Sequence, residues 1–134
     1  SCGSAAACAS GVTPFAIGSD TGDSARKPAA YSALIGFKPS WGRISRFGMM
    51  PFACSLDCVG FFTRHVKDCS IALEALAGKD EKDLTSSSKE VEEYSKASSS
   101  ISNKKIAIIK EMITKSLFFI YSLQLHYAKN HIIL

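Results

Sequence analysis

The sequence has little of what would make a membrane, secreted or nucleic-acid-binding chain. The apolar run Leu117–Leu125 is broken by Ser122 and Gln124. A bilayer-spanning helix needs about 20 mostly apolar residues, so no span is expected. No basic segment followed by an apolar core stands near the start, which excludes the pattern of a secretory leader. The first residue is Ser1 rather than Met, so the chain reads as processed or as a piece of something longer. No charge of one sign dominates. Sixteen Lys plus Arg stand against twelve Asp plus Glu, a net charge of +4 with His neutral. These charges are spread along the chain and read as solvation, not as a nucleic-acid footprint. No internal repeat, collagen-like period or disulfide-dense pattern is present. The five cysteines, Cys2, Cys8, Cys54, Cys58 and Cys69, are odd in number and sit among apolar or small residues. They read as reduced thiols of a cytoplasmic or organelle-matrix protein. His126 and His131 fit no metal spacing with them, and no zinc site is assigned.

What is there suffices for one ordinary domain: 134 residues, of which 46% are hydrophobic and 21% charged. Composition divides the chain into three parts. Residues 1–78 are apolar and rich in small side chains, residues 79–105 are polar and serine-bearing, and residues 106–134 become an apolar, lysine-dotted tail. Ser4 to Ser10 is nearly all Ala, Cys and Ser and predicts a closely packing helix, with Gly11 as its stop. Val12 to Ile17 reads as a short buried strand entered at Pro14. Residues 18–24 predict a loop that brings backbone N–H groups close to something. Ala29 to Phe37 is short and apolar, with a bend at Gly36. Val66, Cys69, Ser70, Leu73, Leu76 and Ala77 recur at helical spacing before Gly78. Glu90 to Ala97 predicts a polar, exposed helix, and Lys105 to Ile109 a strand. Alternating helices and strands point to an α/β layer architecture.

The loop at 18–24 carries the chemistry, and three readings of it compete. Asp20-Thr21-Gly22 alone is the tripeptide of aspartic proteases, which need two such aspartates sharing a proton in an all-β setting. Helical patterns surround it here. Gly22-Asp23-Ser24 could open a Gly-Asp-Ser hydrolase, which needs a late His preceded by Asp at the third position. None of His65, His126 or His131 has one. The nucleophile-elbow pattern Gly-x-Ser-x-Gly fails at Arg26.

The third reading uses the whole neighbourhood. Gly18-Ser19-Asp20-Thr21-Gly22-Asp23-Ser24-Ala25-Arg26-Lys27-Pro28-Ala29 resembles the signature of the amidase signature family. The resemblance runs on through Ser1-Cys2-Gly3-Ser4-Ala5-Ala6, Gly36 to Arg43, Ser45-Arg46-Phe47-Gly48, Phe52 to Gly60 and Thr63-Arg64. It fades near Ala77 to Asp80, with a weaker echo at Lys105 to Glu111. So many motifs in order are a strong signal where a lone Asp-Thr-Gly is weak. The resemblance implies a partial amidase domain over 1–112, made of a core at 1–80, a Ser-rich connection at 81–104 and the strand 105–109, followed by a tail, 113–134, of uncertain origin. It also implies part of an α/β/α sandwich with a mixed central sheet.

The same resemblance implies roles. Ser24 matches the nucleophile of a Ser-cisSer-Lys triad, a variant of the usual hydrolase logic. The backbone N–H groups of Thr21, Gly22, Asp23 and Ser24 match the oxyanion hole, where one donor is typically worth about 2.7–4 kcal/mol. Asp20, Arg26 and Asp57 would support the loop, Asp20 by accepting local N–H bonds, Arg26 and Asp57 with an arginine–carboxylate pair in view. The family pattern has Gly where this chain has Asp23. Aspartate tolerates positive φ less well than glycine, and its carboxylate is expected to point away from the site. The triad lysine is not found in the sequence, and the bridging serine would fall one residue before Ser1. Lys27 lies on the wrong side of the motif and reads as a solvated residue.

Within the family, Ser-Arg-Phe-Gly followed by Phe-Ala-x-Ser-Leu-Asp is most similar to the A subunits of the amidotransferases for misacylated Glu-tRNA(Gln) and Asp-tRNA(Asn). That resemblance implies glutamine as substrate, B and C subunits as partners, tRNA met only through the partner, and no membrane. It implies no cofactor on this chain, with ATP and Mg on a partner subunit. The alternatives are a general amidase for a small amide, or an inactive truncated remnant. A polypeptide of these residues alone, lacking the Lys and cis-Ser, is expected to be inactive.

Overall fold

The computed structural model describes residues 1–97. Its elements in order are α1 (Cys2–Ala9), β1 (Ala16–Asp20), α2 (Arg26–Tyr31), β2 (Ile35–Phe37), β3 (Cys58–Thr63) and α3 (Val66–Leu76), with a single 3-10 turn at Tyr94–Lys96. The expected strand 105–109 and the tail 113–134 lie outside the described residues.

The sheet order is β1-β3-β2. Of the described strands β3 is last in sequence and central in space. It pairs antiparallel with β1, Gly18 facing Gly60, and antiparallel with β2, Gly36 facing Phe62. β1 and β2 therefore run in the same direction, joined by α2, with β3 inserted between them. This is a split βαβ unit. The sequence reading named the Cys58–Val59–Gly60 motif but no strand there. Cys58 to Thr63 has five buried residues of six, so it shows no alternation by which a half-buried strand is recognised. Among the described residues every strand pairing is antiparallel, so the parallel neighbours of a mixed sheet are not found there.

Successive residues of a strand face opposite ways, and Phe61 and Phe62 use this to divide the core. Phe62 packs with Ala5, Cys8, Ala25 and Ala29 beneath α1 and α2. Phe61 packs with Ile44, Cys69 and Ala72 beneath α3, stacking on Phe37 at 5.2 Å between centroids. Both phenylalanines are fully buried, and each such burial contributes about 1.5–3 kcal/mol. Helices thus cover both faces of the sheet.

Small side chains set the distances. A Cβ on Gly36 would stand 2.6 Å from the Ala29 Cβ and 2.7 Å from the Ala25 oxygen; one on Gly60 would stand 2.9 Å from the Ala25 Cβ. Glycine on two adjacent strands lets the start of α2 lie almost on the sheet. α1 ends at Ala9 with Ser10 as its C-cap, and Gly11 follows at φ +79°, as expected of a helix stop. Arg64 donates to the Cys8 and Thr13 carbonyls at 2.8 and 2.9 Å, placing a cation at that helix's negative end. α3 matches its predicted span closely.

Two elements differ from expectation. The strand expected at Val12–Ile17 begins only at Ala16 and runs on to Asp20, into the predicted loop. Val12 is 78% exposed, so the strand pairs where β3 supplies a partner, not where the apolar run starts. Glu90–Ala97 forms no α-helix. Arg43 takes the Lys89 and Glu90 carbonyls at 2.6 and 2.7 Å and the Tyr94 hydroxyl at 2.7 Å, bonds that compete with a helical ladder. The segment is a strap across the molecule, held by a largely buried guanidinium.

Candidate active site

Asp20 is the last residue of β1 and fully buried. A buried carboxylate must be paired and hydrogen-bonded. Its Oδ2 accepts the Ala25 amide at 3.0 Å and the Arg26 Nε–H at 3.2 Å, and Arg26 Nη2 lies 3.4 Å from Oδ1. Arg26 also donates to the Gly22 carbonyl. Burial pushes the Asp20 carboxyl up, but the Arg26 and Ala25 donors outweigh it and hold it below the ordinary value. The Arg26 guanidinium is raised in turn, chiefly by that hydrogen bond to Asp20. The chain leaves β1 at Asp20 and is recaptured by the same side chain at residues 25 and 26. Residues 21–24 are thereby closed into a short loop between a strand and a helix.

Inside that loop four consecutive amides, those of Thr21, Gly22, Asp23 and Ser24, have no acceptor among the described residues. Ser24 is half-buried, and none of the hydrogen bonds among the described residues engages its hydroxyl. Thr21 and Ser24 are half-buried, whereas Gly22 and Asp23 are exposed and their amides are open to water. A row of open donors beside an open hydroxyl is what a carbonyl carbon under attack requires, since its oxygen gains charge. The next residues bind inward: Lys27 N–H donates to the Asp23 carbonyl at 2.8 Å, starting α2. Pro28 falls in that first turn, where its missing N–H costs no helical bond.

Asp23 turns outward. Its exposed carboxylate lies 3.6 Å from the Lys27 ammonium, itself exposed. No residue from 21 to 24 has positive φ, so the backbone does not demand glycine at position 23. The expected strain of an aspartate there is absent, and Lys27 is a surface partner of Asp23.

Asp57 braces the loop from the other side. Its Oδ1 accepts the Thr21 hydroxyl at 2.5 Å, and its Oδ2 accepts the Phe52 and Ala53 amides at 2.8 and 3.0 Å. These bonds, Thr21's first, hold its carboxyl below the ordinary value. The arginine–carboxylate pair expected of Arg26 and Asp57 is not formed: Arg26 pairs with Asp20, which is one short loop away, while both Asp57 oxygens are already engaged. All of Asp20, Thr21, Gly22, Asp23, Ser24, Arg26 and Asp57 are thus brought to one place, by two carboxylates acting separately.

Two further residues belong to this neighbourhood, and motif reading gave neither a role. Ser1 Oγ donates to the Ser19 carbonyl and accepts the Ser19 amide, both at 3.1 Å, fastening the start of α1 beside β1. Arg46 secures the Cys54–Asp57 turn by donating to the Cys54 carbonyl and, at 3.4 Å, to that of Asp57. The only sequence signal for Arg46 was its place in Ser45-Arg46-Phe47-Gly48. Among the described residues no cluster of His, Cys, Asp and Glu could hold a metal ion, and no helix is long and apolar enough to cross a membrane.

Comparison with known proteins fits this arrangement. The model of the Amidase family matches residues 1–117. The A subunit of glutamyl-tRNA(Gln) amidotransferase from Staphylococcus aureus (strain bovine RF122 / ET3-1) is 51% identical over 112 residues, covering 83% of this chain and 23% of that protein. Among solved structures, an amidase family protein from Bacillus anthracis str. Ames superposes with a TM-score of 0.67 at 41% identity, over 70% of this chain and 19% of the other. The A subunit of glutamyl-tRNA(Gln) amidotransferase from Thermotoga maritima does so with a TM-score of 0.64 at 44% identity, over 66% and 20%. The chain therefore spans about a quarter of the length of the curated relatives it matches. With the family model matching residues 1–117, this chain is a member of the amidase family.

Proposed function

We propose that this chain contributes the nucleophile and the oxyanion cradle of a glutamine-hydrolysing amidotransferase A subunit. The observation that carries the reading is the half-buried Ser24, whose hydroxyl makes no hydrogen bond among the described residues, in a loop whose amides 21–24 have no protein acceptor there. Ser24 Oγ attacks the side-chain amide carbon of glutamine, and the carbonyl oxygen takes the charge facing those amides. The serine proton passes to the leaving nitrogen, ammonia departs, and a seryl ester remains. Water then hydrolyses the ester and frees Ser24. The base is the lysine and bridging serine of the family pattern, neither of which is found among residues 1–134. A polypeptide of these residues alone is inactive on this reading.

The curated relatives at 48–51% identity are A subunits of glutamyl-tRNA(Gln) amidotransferase, which favours the amidotransferase over other amidases. The ammonia passes to a B subunit that, with a C subunit, amidates misacylated Glu-tRNA(Gln) or Asp-tRNA(Asn). ATP and Mg belong to that partner, and no cofactor to this chain. The complete domain is an α/β/α sandwich with a mixed sheet, working in the cytoplasm or an organelle matrix.

The test is glutaminase activity of the full polypeptide together with co-purification of a second subunit. Both are expected. Hydrolysis of small amides with no partner requirement would replace this reading with a general amidase. A fluorophosphonate probe on the 134-residue polypeptide is expected to leave Ser24 unlabelled, and strong labelling there would overturn the inactivity.

A further inference from the structure

The oxyanion cradle is held by a chain of contacts that starts far from it. The segment Asp80–Thr85 meets the Ser45–Arg46 corner at two points. Asp83 Oδ2 accepts the Arg46 amide at 2.8 Å, and Asp80 Oδ2 accepts the Ser45 hydroxyl at 2.6 Å. The Arg46 guanidinium lies over the Trp41 ring, 4.5 Å from its centroid, within the range of a cation–π contact. Its Nη2 donates to the Thr85 hydroxyl at 2.9 Å, and that hydroxyl donates to Asp83 Oδ1 at 2.5 Å. Nη1 points the other way, to the carbonyls of Cys54 and Asp57. A planar fork with fixed donors can join two such segments where a flexible ammonium cannot. The turn it secures is tight: the Leu56 and Asp57 amides both return to the Ala53 carbonyl at 2.8 Å. From that turn the Asp57 carboxylate reaches Thr21.

We propose that Arg46 is a positioning residue for the oxyanion cradle: it fixes the Cys54–Asp57 turn so that Asp57 holds Thr21, and with Thr21 the amide row 21–24. Arg46 touches no reacting atom. It acts through the turn, and its anchor is the Asp80–Thr85 segment on the polar side of the molecule. The inference rests on the amidase reading for its consequence in catalysis, but the contact chain has its own readout.

That readout is amide hydrogen exchange of the full chain, followed by mass spectrometry over the peptide 18–25, whose protection rests on the strand amides up to Asp20 and on the Ala25 amide bonded to Asp20 Oδ2. Arg46→Ala is expected to speed exchange there by about tenfold. In a Thr21→Val background, where Asp57 has already lost its grip, Arg46→Ala is expected to add less than about twofold. Arg46→Lys, which keeps the charge and loses the fork, keeps the chain folded and is expected to lie between Arg46→Ala and the parent chain. Arg43→Ala removes a comparable guanidinium from the strap at 89–94 and is expected to leave exchange over 18–25 at the parent rate. In the full polypeptide, Arg46→Lys lowers kcat for amide hydrolysis with KM unchanged. Equal acceleration by Arg43→Ala and Arg46→Ala, or full additivity with Thr21→Val, would overturn the proposal. A full polypeptide that hydrolyses no amide but shows the exchange pattern would instead sink the amidase reading and leave Arg46 in its positioning role.

Discussion

The Thr21 hydroxyl stands 2.5 Å from Asp57 Oδ1, joining residues 36 positions apart. The first lies just past the end of β1, the second just before β3. The carboxylate's other oxygen holds the Phe52 and Ala53 amides, so one side chain sets both the entry to the 21–24 loop and the turn that faces it. Asp20 closes the loop's far end through Ala25 and Arg26. The loop has little internal bonding and takes its shape from these two anchors.

Removing the first anchor therefore disturbs the amide row without touching Ser24. Thr21→Val in the full polypeptide is expected to slow fluorophosphonate labelling of Ser24 by about tenfold, since a displaced oxyanion donor costs up to about 10²–10³ in rate. Labelling at the parent rate would show that Thr21 contributes its backbone alone.

The second anchor depends on charge as well as shape. Asp20→Asn can keep one oxygen on the Ala25 and Arg26 Nε donors, but it turns an amide NH₂ towards Arg26 Nη2 and leaves the guanidinium without its counter-ion. Labelling of Ser24 is expected to fall by about a hundredfold. Arg26→Lys, which loses the bidentate fork, is expected to fall less. The two rates, measured side by side, check the order.

These anchors also show what the sequence made legible. α1 and α3 were readable because small residues or a 3.6-residue period repeat locally. The Asp20-to-Ala25 closure was readable as a carboxylate accepting local N–H groups. β3 was hidden because a strand buried on both faces lacks alternation. The Glu90–Ala97 segment was misread because the groups that take its carbonyls belong to Arg43, far away in sequence. Arg26 was placed against the wrong carboxylate for a related reason: motif spacing shows that two residues are needed, not which of two acids is already saturated.

Thiol chemistry provides an independent check on the core. Cys2 and Cys54 are exposed, while Cys8, Cys58 and Cys69 are buried. Burial pushes the Cys69 thiol up to about 11 and raises Cys58 as well, which keeps thiolate scarce. Alkylation of the native chain near neutral pH is expected to modify Cys2 and Cys54 first. The other three should react only on unfolding, as peptide mapping would show.

Acid should loosen the polar segment. The Thr85 hydroxyl, with the Arg46 amide, lowers the Asp83 carboxyl from 3.8 to about 2. Its folded-state value lies below its unfolded one, so its stabilisation is complete above the unfolded value and is lost as pH falls through the folded one. Melting temperature is expected to decline between pH about 4 and about 2. Asp83→Asn should flatten that part of the curve, and an unchanged slope would count against the pairing.

Packing at the sheet centre leaves no room for a methyl group. A Cβ on Gly60 would lie 2.7 Å from the Phe37 carbonyl oxygen and 2.9 Å from the Ala25 Cβ. Gly60→Ala is expected to cost about 1–3 kcal/mol in thermal unfolding. Because Ala25 directly follows Ser24, labelling of Ser24 in the full polypeptide should slow along with it.

The insertion of β3 between two earlier strands has a consequence for biogenesis. During synthesis β1, the 21–24 loop and β2 leave the ribosome before the strand that joins them exists. Neither strand can find this sheet partner until residues 58–63 follow, and such distant pairings are slow to form. The loop that carries Ser24 is therefore shaped late, after much of its surroundings has already emerged.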